Sequence, residues 1–156
     1  MTDIRHPKGL SSAVSYQDPK RAFRWLEQAF GFEPSFVLLD EQGNLGHSQM
    51  TYGGSILMVG NEWDADHVSP ASVRGKNTQT VHVQLAEGED IDAHCARARD
   101  AGAEIIAEPD TQFYGDRTYR ARDFEGHIWT FAVTVEHTTP EQWQEATGLK
   151  TQVRLD

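Results

Sequence analysis

The sequence predicts an α+β fold built from two tandem βαβββ units, and three spacings carry that prediction. Gly31 and Gly102, each closing a helical stretch, lie 71 positions apart; Gly54 and Gly126, each in a turn between strand-like runs, lie 72 apart; Val14 and Val83, in the strands that open each half, lie 69 apart. The two-residue discrepancy is absorbed by the loop Glu87-Gly88-Glu89. Registration at three landmarks marks a tandem duplication.

The elements follow in order. Residues 1–9, with Pro7 and Gly9 and no periodicity, read as a lead-in. The first unit spans 10–60. A short strand at 10–16 precedes Asp18-Pro19, an N-cap followed by proline at the first helical position. Ala22, Phe23, Leu26, Ala29 and Phe30 recur at helical spacing, and Gly31 stops the helix. Strands are expected at 35–40, 45–52 and 55–60. Residues 61–79 have turn composition and read as a connector. The second unit spans 80–135: the alternating run Thr80-Val-His-Val-Gln-Leu85, a helix from the Asp90 cap to Gly102, and strands at 104–107, 118–123 and 127–135. The last two flank Asp123-Phe-Glu-Gly126, a hairpin turn in which glycine supplies positive φ. The tail, 136–156, offers Thr139 as N-cap, Pro140, Gln142 for a capping box and Gly148 as stop, hence a helix at 140–147 carrying Trp143.

A chain of 156 residues, 38% hydrophobic and 10% aromatic, can bury a real core. The formal charge of −10 disfavours nucleic acid and anionic lipid and favours neutral or cationic ligands. No apolar run approaches the roughly 18 residues needed to span a bilayer, and the N-terminus lacks a signal peptide's apolar centre, so no membrane partner and a cytoplasmic location are expected. Cys95 is the single cysteine, which excludes an internal disulfide. Phosphate-loop, dinucleotide-binding, nucleophile-elbow and HExxH motifs are all missing.

Several pieces together resemble one family: Tyr16-Gln-Asp-Pro19 with a helix ending Ala29-Phe-Gly-Phe32, Asp90-Ile-Asp-Ala-His94 ending Ala101-Gly-Ala103, Tyr114-Gly-Asp-Arg117, and Asp123-Phe-Glu-Gly-His-Ile-Trp129. The chain resembles the vicinal oxygen chelate superfamily, which holds glyoxalase I, extradiol dioxygenases, fosfomycin-resistance transferases and bleomycin-binding proteins, and within it the PhnB-like or bleomycin-resistance-like branch. The resemblance covers about 10–135. It implies curled mixed sheets around a cavity, helices outside, and frequent pairing into homodimers.

The resemblance also implies four metal-ligand positions, on the first and last strand of each unit. They fall on Ser11, Met58, Thr80 and Thr130. Hydroxyls and a thioether are poor ligands for Zn²⁺, Ni²⁺ or Fe²⁺, so neither the family's metal nor any other cofactor is expected. The competing reading starts a site from His47 and His82, with Glu62 or Asp123 as third ligand, or uses His82 as a metal-free general base.

Alternation puts Val81, Val83 and Leu85 against a helix and Thr80, His82 and Gln84 on the other face; Trp129, Phe131 and Val133 likewise oppose Ile128, Thr130 and Ala132. Small, apolar and sparse polar side chains on the inner face suit an organic ligand. The candidate binding set is therefore His47, Gln49, Met58, Trp63, Thr80, His82, Gln84, Phe113, Tyr114, Arg117 and Thr130. Arg117 either anchors a ligand oxyanion or pairs with Asp116 or Asp123. Phe113, Tyr114 and Trp63 either cover the cavity mouth, from loops at 61–79 and 108–117, or pack locally. His127, Trp129 and Cys95 read as structural. The leading expectation is a metal-free protein that binds a hydrophobic or cationic small molecule such as an antibiotic. A lyase, isomerase or dioxygenase of the same superfamily is the alternative, and an interaction module with a filled cavity the third reading.

Overall fold

The computed structural model describes residues 6–155. The first unit comprises β1 (Ser12–Tyr16), α1 (Pro19–Phe30), β2 (Glu33–Leu39), β3 (Leu45–Tyr52) and β4 (Ser55–Asn61). The second comprises β5 (Val81–Gln84), α2 (Ile91–Asp100), β6 (Glu104–Thr111), β7 (Asp116–Arg122) and β8 (Ile128–Thr134), followed by α3 (Pro140–Thr147). The sheets run β1-β4-β3-β2 and β5-β8-β7-β6. In each, the first and last strands pair in parallel and the others antiparallel. Each helix carries the chain across the sheet so that the unit's fourth strand can lie beside its first.

The caps form as the sequence predicts. Asp18 accepts from the Arg21 N–H at 3.1 Å, Asp90 from the Ala93 N–H at 3.0 Å, and Thr139 with Gln142 closes a capping box. Gly31 ends α1 at φ 76°. One expectation fails in the second half. The second strand of that unit, β6, runs on from 107 to Thr111, through Pro109, so 108–117 is not a free loop. The ladder with β7 is irregular between Ile105 and Asp110, and β6 is an edge strand; both conditions let proline sit where no ladder donor is needed.

One core joins the two units on the helix side of both sheets. Tyr16, Leu26, Phe30, Met50, Val59, Tyr119, Trp129 and Phe131 are buried in it. Phe30 of α1 lies 5.4 Å from the Trp129 ring and 4.7 Å from the Phe131 ring, so the first helix packs on the second sheet as well as its own. Each such buried side chain contributes about 1.5–3 kcal/mol. The second unit also satisfies both ends of α1. Glu125 accepts the N–H groups of Gln17 at 2.7 Å and Asp18 at 2.9 Å. At the other end Arg97 donates to the carbonyls of Gln28 and Glu27, and His94 Nε2 lies 3.0 Å from the Phe30 carbonyl. The last carbonyls of the helix are thus bonded from the other repeat, that of Glu27 in addition to the Gly31 N–H.

The connector is ordered by carboxylates. Glu62 accepts from the Ser69 N–H and the Ser72 hydroxyl, and Ser69 Oγ donates to Glu125 at 2.6 Å. The sheets are curled and do not close on each other, because their shared core occupies the helix side and leaves the opposite faces open. Among the described residues no helix is long and apolar enough to cross a membrane.

Candidate functional site

The Asp123 hairpin shows how local sequence builds the frame. Asp123 Oδ1 accepts the N–H groups of Glu125, Gly126 and His127, while Oδ2 accepts the Tyr16 hydroxyl at 2.7 Å and Trp129 Nε1 at 3.0 Å. His127 Nε2 lies 2.8 Å from the Ser15 carbonyl. This turn therefore clamps β8 of one unit to β1 of the other, and these residues hold the scaffold.

Beside that frame lies an open groove of about 620 Å³ between the edge strand β5 and the first unit. Its walls include Ser11, Phe32, Tyr52, Ile56 and Leu57 of the first unit, and the run Gln79–Gln84 with Trp129 of the second. Among the described residues no Asp, Glu, Lys or Arg lines it. Phe32 and Tyr52 meet edge to face at 5.5 Å, and the Tyr52 hydroxyl reaches Glu89 at 3.5 Å. Partial burial, then the Glu89 charge, push the Tyr52 phenol up from its ordinary value, so it stays a donor.

Of the residues singled out from sequence, Ser11, Thr80, His82 and Gln84 come together in this groove. His47, Gln49 and Met58 do not; they share the open face of the first sheet, where Gln49 pairs with Met58 and Phe36, and His47 lies 5.8 Å from the Phe36 ring. Thr130 is the ladder partner of His82 on the open face of the second sheet. Trp63, 67% exposed, stacks on His67 at 4.3 Å in the connector. Phe113 and Tyr114 meet edge to face at 5.2 Å in the tight turn between β6 and β7. That turn is closed by Gly115 N–H bonding the Gln112 carbonyl, so these rings cap a hairpin and are absent from the groove walls.

Arg117 goes elsewhere. It sits opposite Val133, on the helix side of its sheet, and makes a two-point ion pair with Asp92 of α2 at 2.9 and 2.8 Å. That pairing occupies the fork that a ligand oxyanion would use, and the partner is neither Asp116 nor Asp123. Phe32, Tyr52, Ile56 and Leu57 were not singled out from sequence. They reach the groove through the junction of α1 with β2 and the β3–β4 turn, a tertiary proximity with no local sequence signal.

The donors do not fit the family's divalent ion. Strand register pairs Ala13 with Met58 and His82 with Thr130, so moving the two first-strand positions two residues along exchanges Ser11 for Ala13 and Thr80 for His82 and brings in a single imidazole. Among the described residues no group of three or more His, Cys, Asp or Glu converges. His47 and His82 stand on different sheets. Of the carboxylates read as completing such a site, Asp123 is held in the hairpin and Glu62 in the connector. Cys95 is buried, its thiol pushed up by burial, and it behaves as a small core residue.

A family model described as Glyoxalase/Bleomycin resistance protein/Dioxygenase superfamily matches residues 10–131. The chain belongs to that superfamily. TioX from Micromonospora sp. ML1 is a solved structure 30% identical to this chain, covering 81% of it and 99% of its own length with a TM-score of 0.62. A glyoxalase/bleomycin resistance protein from Streptomyces sp. CB03234 is 20% identical over 77% of this chain and 95% of that one, at a TM-score of 0.56, a likeness of fold. The uncharacterized protein Rv0887c of Mycobacterium tuberculosis is 27% identical over 141 residues, 88% of this chain and 81% of that protein.

Proposed function

We propose that this protein binds a hydrophobic organic molecule in the groove between β5 and the first unit, without the divalent metal used by the metalloenzymes of its superfamily. One observation carries the reading: the groove walls combine aromatic and aliphatic surface with hydroxyls, two amides and one imidazole, and among the described residues no Asp, Glu, Lys or Arg lines them. Such a lining gains affinity from apolar burial and orientation from a few polar atoms. Peptide and aromatic antibiotics have this chemistry, and sequestering such a compound in the cytosol is the function we assign.

Of the two ligand classes read from sequence, hydrophobic and cationic, the aromatic and aliphatic lining of the groove supports the first. The net charge of −10 acts on encounter, and among the described residues no carboxylate lines the groove. We further propose a homodimer. Leu38 is 58% and Leu39 54% exposed on the edge strand β2, whose free backbone groups a second copy can pair. Light scattering during size exclusion would return twice the chain mass, and a monomer mass would rule this out.

The test of the binding reading is a thermal-shift screen of chelator-treated protein against peptide and aromatic antibiotics, with each hit titrated calorimetrically against wild type and Thr80→Trp. The indole should fill the groove and weaken binding at least about tenfold, roughly the loss of one well-packed contact. Hits unaffected by Thr80→Trp would place the ligand elsewhere. A second reading, a metal-free catalyst with His82 as base, draws on the hydrogen bond between His82 and Gln84; turnover lost in His82→Ala would support it.

A further inference from the structure

His82 is the one imidazole lining the groove, and its neighbours dictate which of its nitrogens bears hydrogen. Thr134 Oγ1 donates to Asp116 Oδ1 at 2.8 Å. A carboxylate only accepts, so Gln84 turns its NH₂ toward Asp116 Oδ2 at 3.2 Å, with Thr134 Oγ1 at 3.3 Å. The Gln84 carbonyl Oε1 then faces His82 Nε2 at 3.0 Å. A carbonyl also only accepts, so Nε2 carries the hydrogen and, in the neutral ring, Nδ1 keeps a bare lone pair. No protein group among the described residues is recorded on that nitrogen.

We propose that His82 Nδ1 is the hydrogen-bond acceptor the groove offers its ligand, with Gln84 and Asp116 as positioning residues that hold the ring in the Nε2–H form. This deepens the reading of the groove as a ligand site and rests on it. The ligand class narrows accordingly, to a hydrophobic frame bearing an O–H or N–H donor, such as a phenol, an indole or a secondary amide. Ethers and tertiary amides of the same shape lack the hydrogen that Nδ1 requires.

Long-range ¹H–¹⁵N spectra of the full-length protein above neutral pH report the tautomer, with His82→Gln assigning the signal. Wild type should be predominantly Nε2–H. Asp116→Asn lets the Gln84 amide turn over, and the Nδ1–H population should rise; Gln84→Leu, on an exposed edge-strand position, should leave a mixture. A wild-type ring in the Nδ1–H form, or a tautomer indifferent to both variants, overturns the proposal. For the contact itself, 1-naphthol should bind wild type roughly three- to tenfold more tightly than 1-methoxynaphthalene, the worth of one hydrogen bond. That preference should vanish in Gln84→Leu. Equal binding of the two compounds overturns the contact alone, whereas failure of both to shift any groove resonance overturns the ligand-site reading together with it.

Discussion

The Tyr16 hydroxyl donates to Asp123 Oδ2 at 2.7 Å, a bond across 107 residues that ties the first strand of one repeat to the last hairpin of the other. Burial foremost, then the facing carboxylate, raise the Tyr16 phenol well above its ordinary value, so it remains a donor at any pH the fold survives. Asp123→Ala strands the buried Tyr16 and Trp129 donors and three turn N–H groups, and should cost about 3–5 kcal/mol. Tyr16→Phe removes one donor of five and should cost about 1–2 kcal/mol. Urea unfolding measures both, and the order of the two is the check.

His94 should make stability fall in acid. Its ring lies 2.6 Å from the Tyr119 hydroxyl and 3.0 Å from the Phe30 carbonyl, and burial, foremost, holds its pKa below the usual histidine value. The unfolded chain then binds the proton more readily than the fold. Stability from this group is complete above about pH 6.5 and is lost as pH falls from there through the lowered folded value, with a limiting slope of about 1.4 kcal/mol per pH unit. Denaturant midpoints against pH for wild type and His94→Gln should converge in that window. Parallel curves would remove His94 as the cause.

Gly115 should tolerate no side chain. It holds φ 94°, and a Cβ there would lie 1.9 Å from the Glu136 carbonyl oxygen, which is backbone and cannot swing away. Gly115→Ala should cost about 2–4 kcal/mol in thermal or chemical unfolding. Gly53→Ala, also at positive φ but with open space around it, should cost less.

Arg117→Ala should leave ligand affinity unchanged, because the guanidinium is taken up by Asp92 on the helix side. The pair is solvent-exposed, so its loss should move the unfolding midpoint little. Calorimetric titration with any groove ligand checks the first statement. A large loss of affinity would return Arg117 to the binding site.

Much of the fold was legible because the duplication repeats its punctuation. Asp18-Pro19, Asp90, Thr139-Pro140 and the turn glycines mark boundaries through local backbone chemistry, and α3 runs over the residues its caps predict. Alternation sorted β5 and β8 into helix-facing and open faces, since period two needs no tertiary knowledge. Bulges hid the length of β6, because proline in a regular ladder would have ended the strand. The groove was half legible. Thr80, His82 and Gln84 were candidates from strand alternation, whereas Val81, Val83 and Trp129 of the helix-facing set line it as well, because β5 is an edge strand, and Phe32, Tyr52 and Leu57 enter it only through the packing of one repeat on the other. Arg117 misled because its sequence neighbours offered Asp116 and Asp123, while its partner Asp92 lies 25 residues away on α2.

Calorimetric titration of one groove ligand into chelator-stripped protein, repeated after stoichiometric Zn²⁺, Ni²⁺ or Fe²⁺ is added back, tests the metal-free site most directly. The same affinity and a one-to-one stoichiometry with and without metal are the expected result. Binding that appears only once a divalent ion is restored would contradict it.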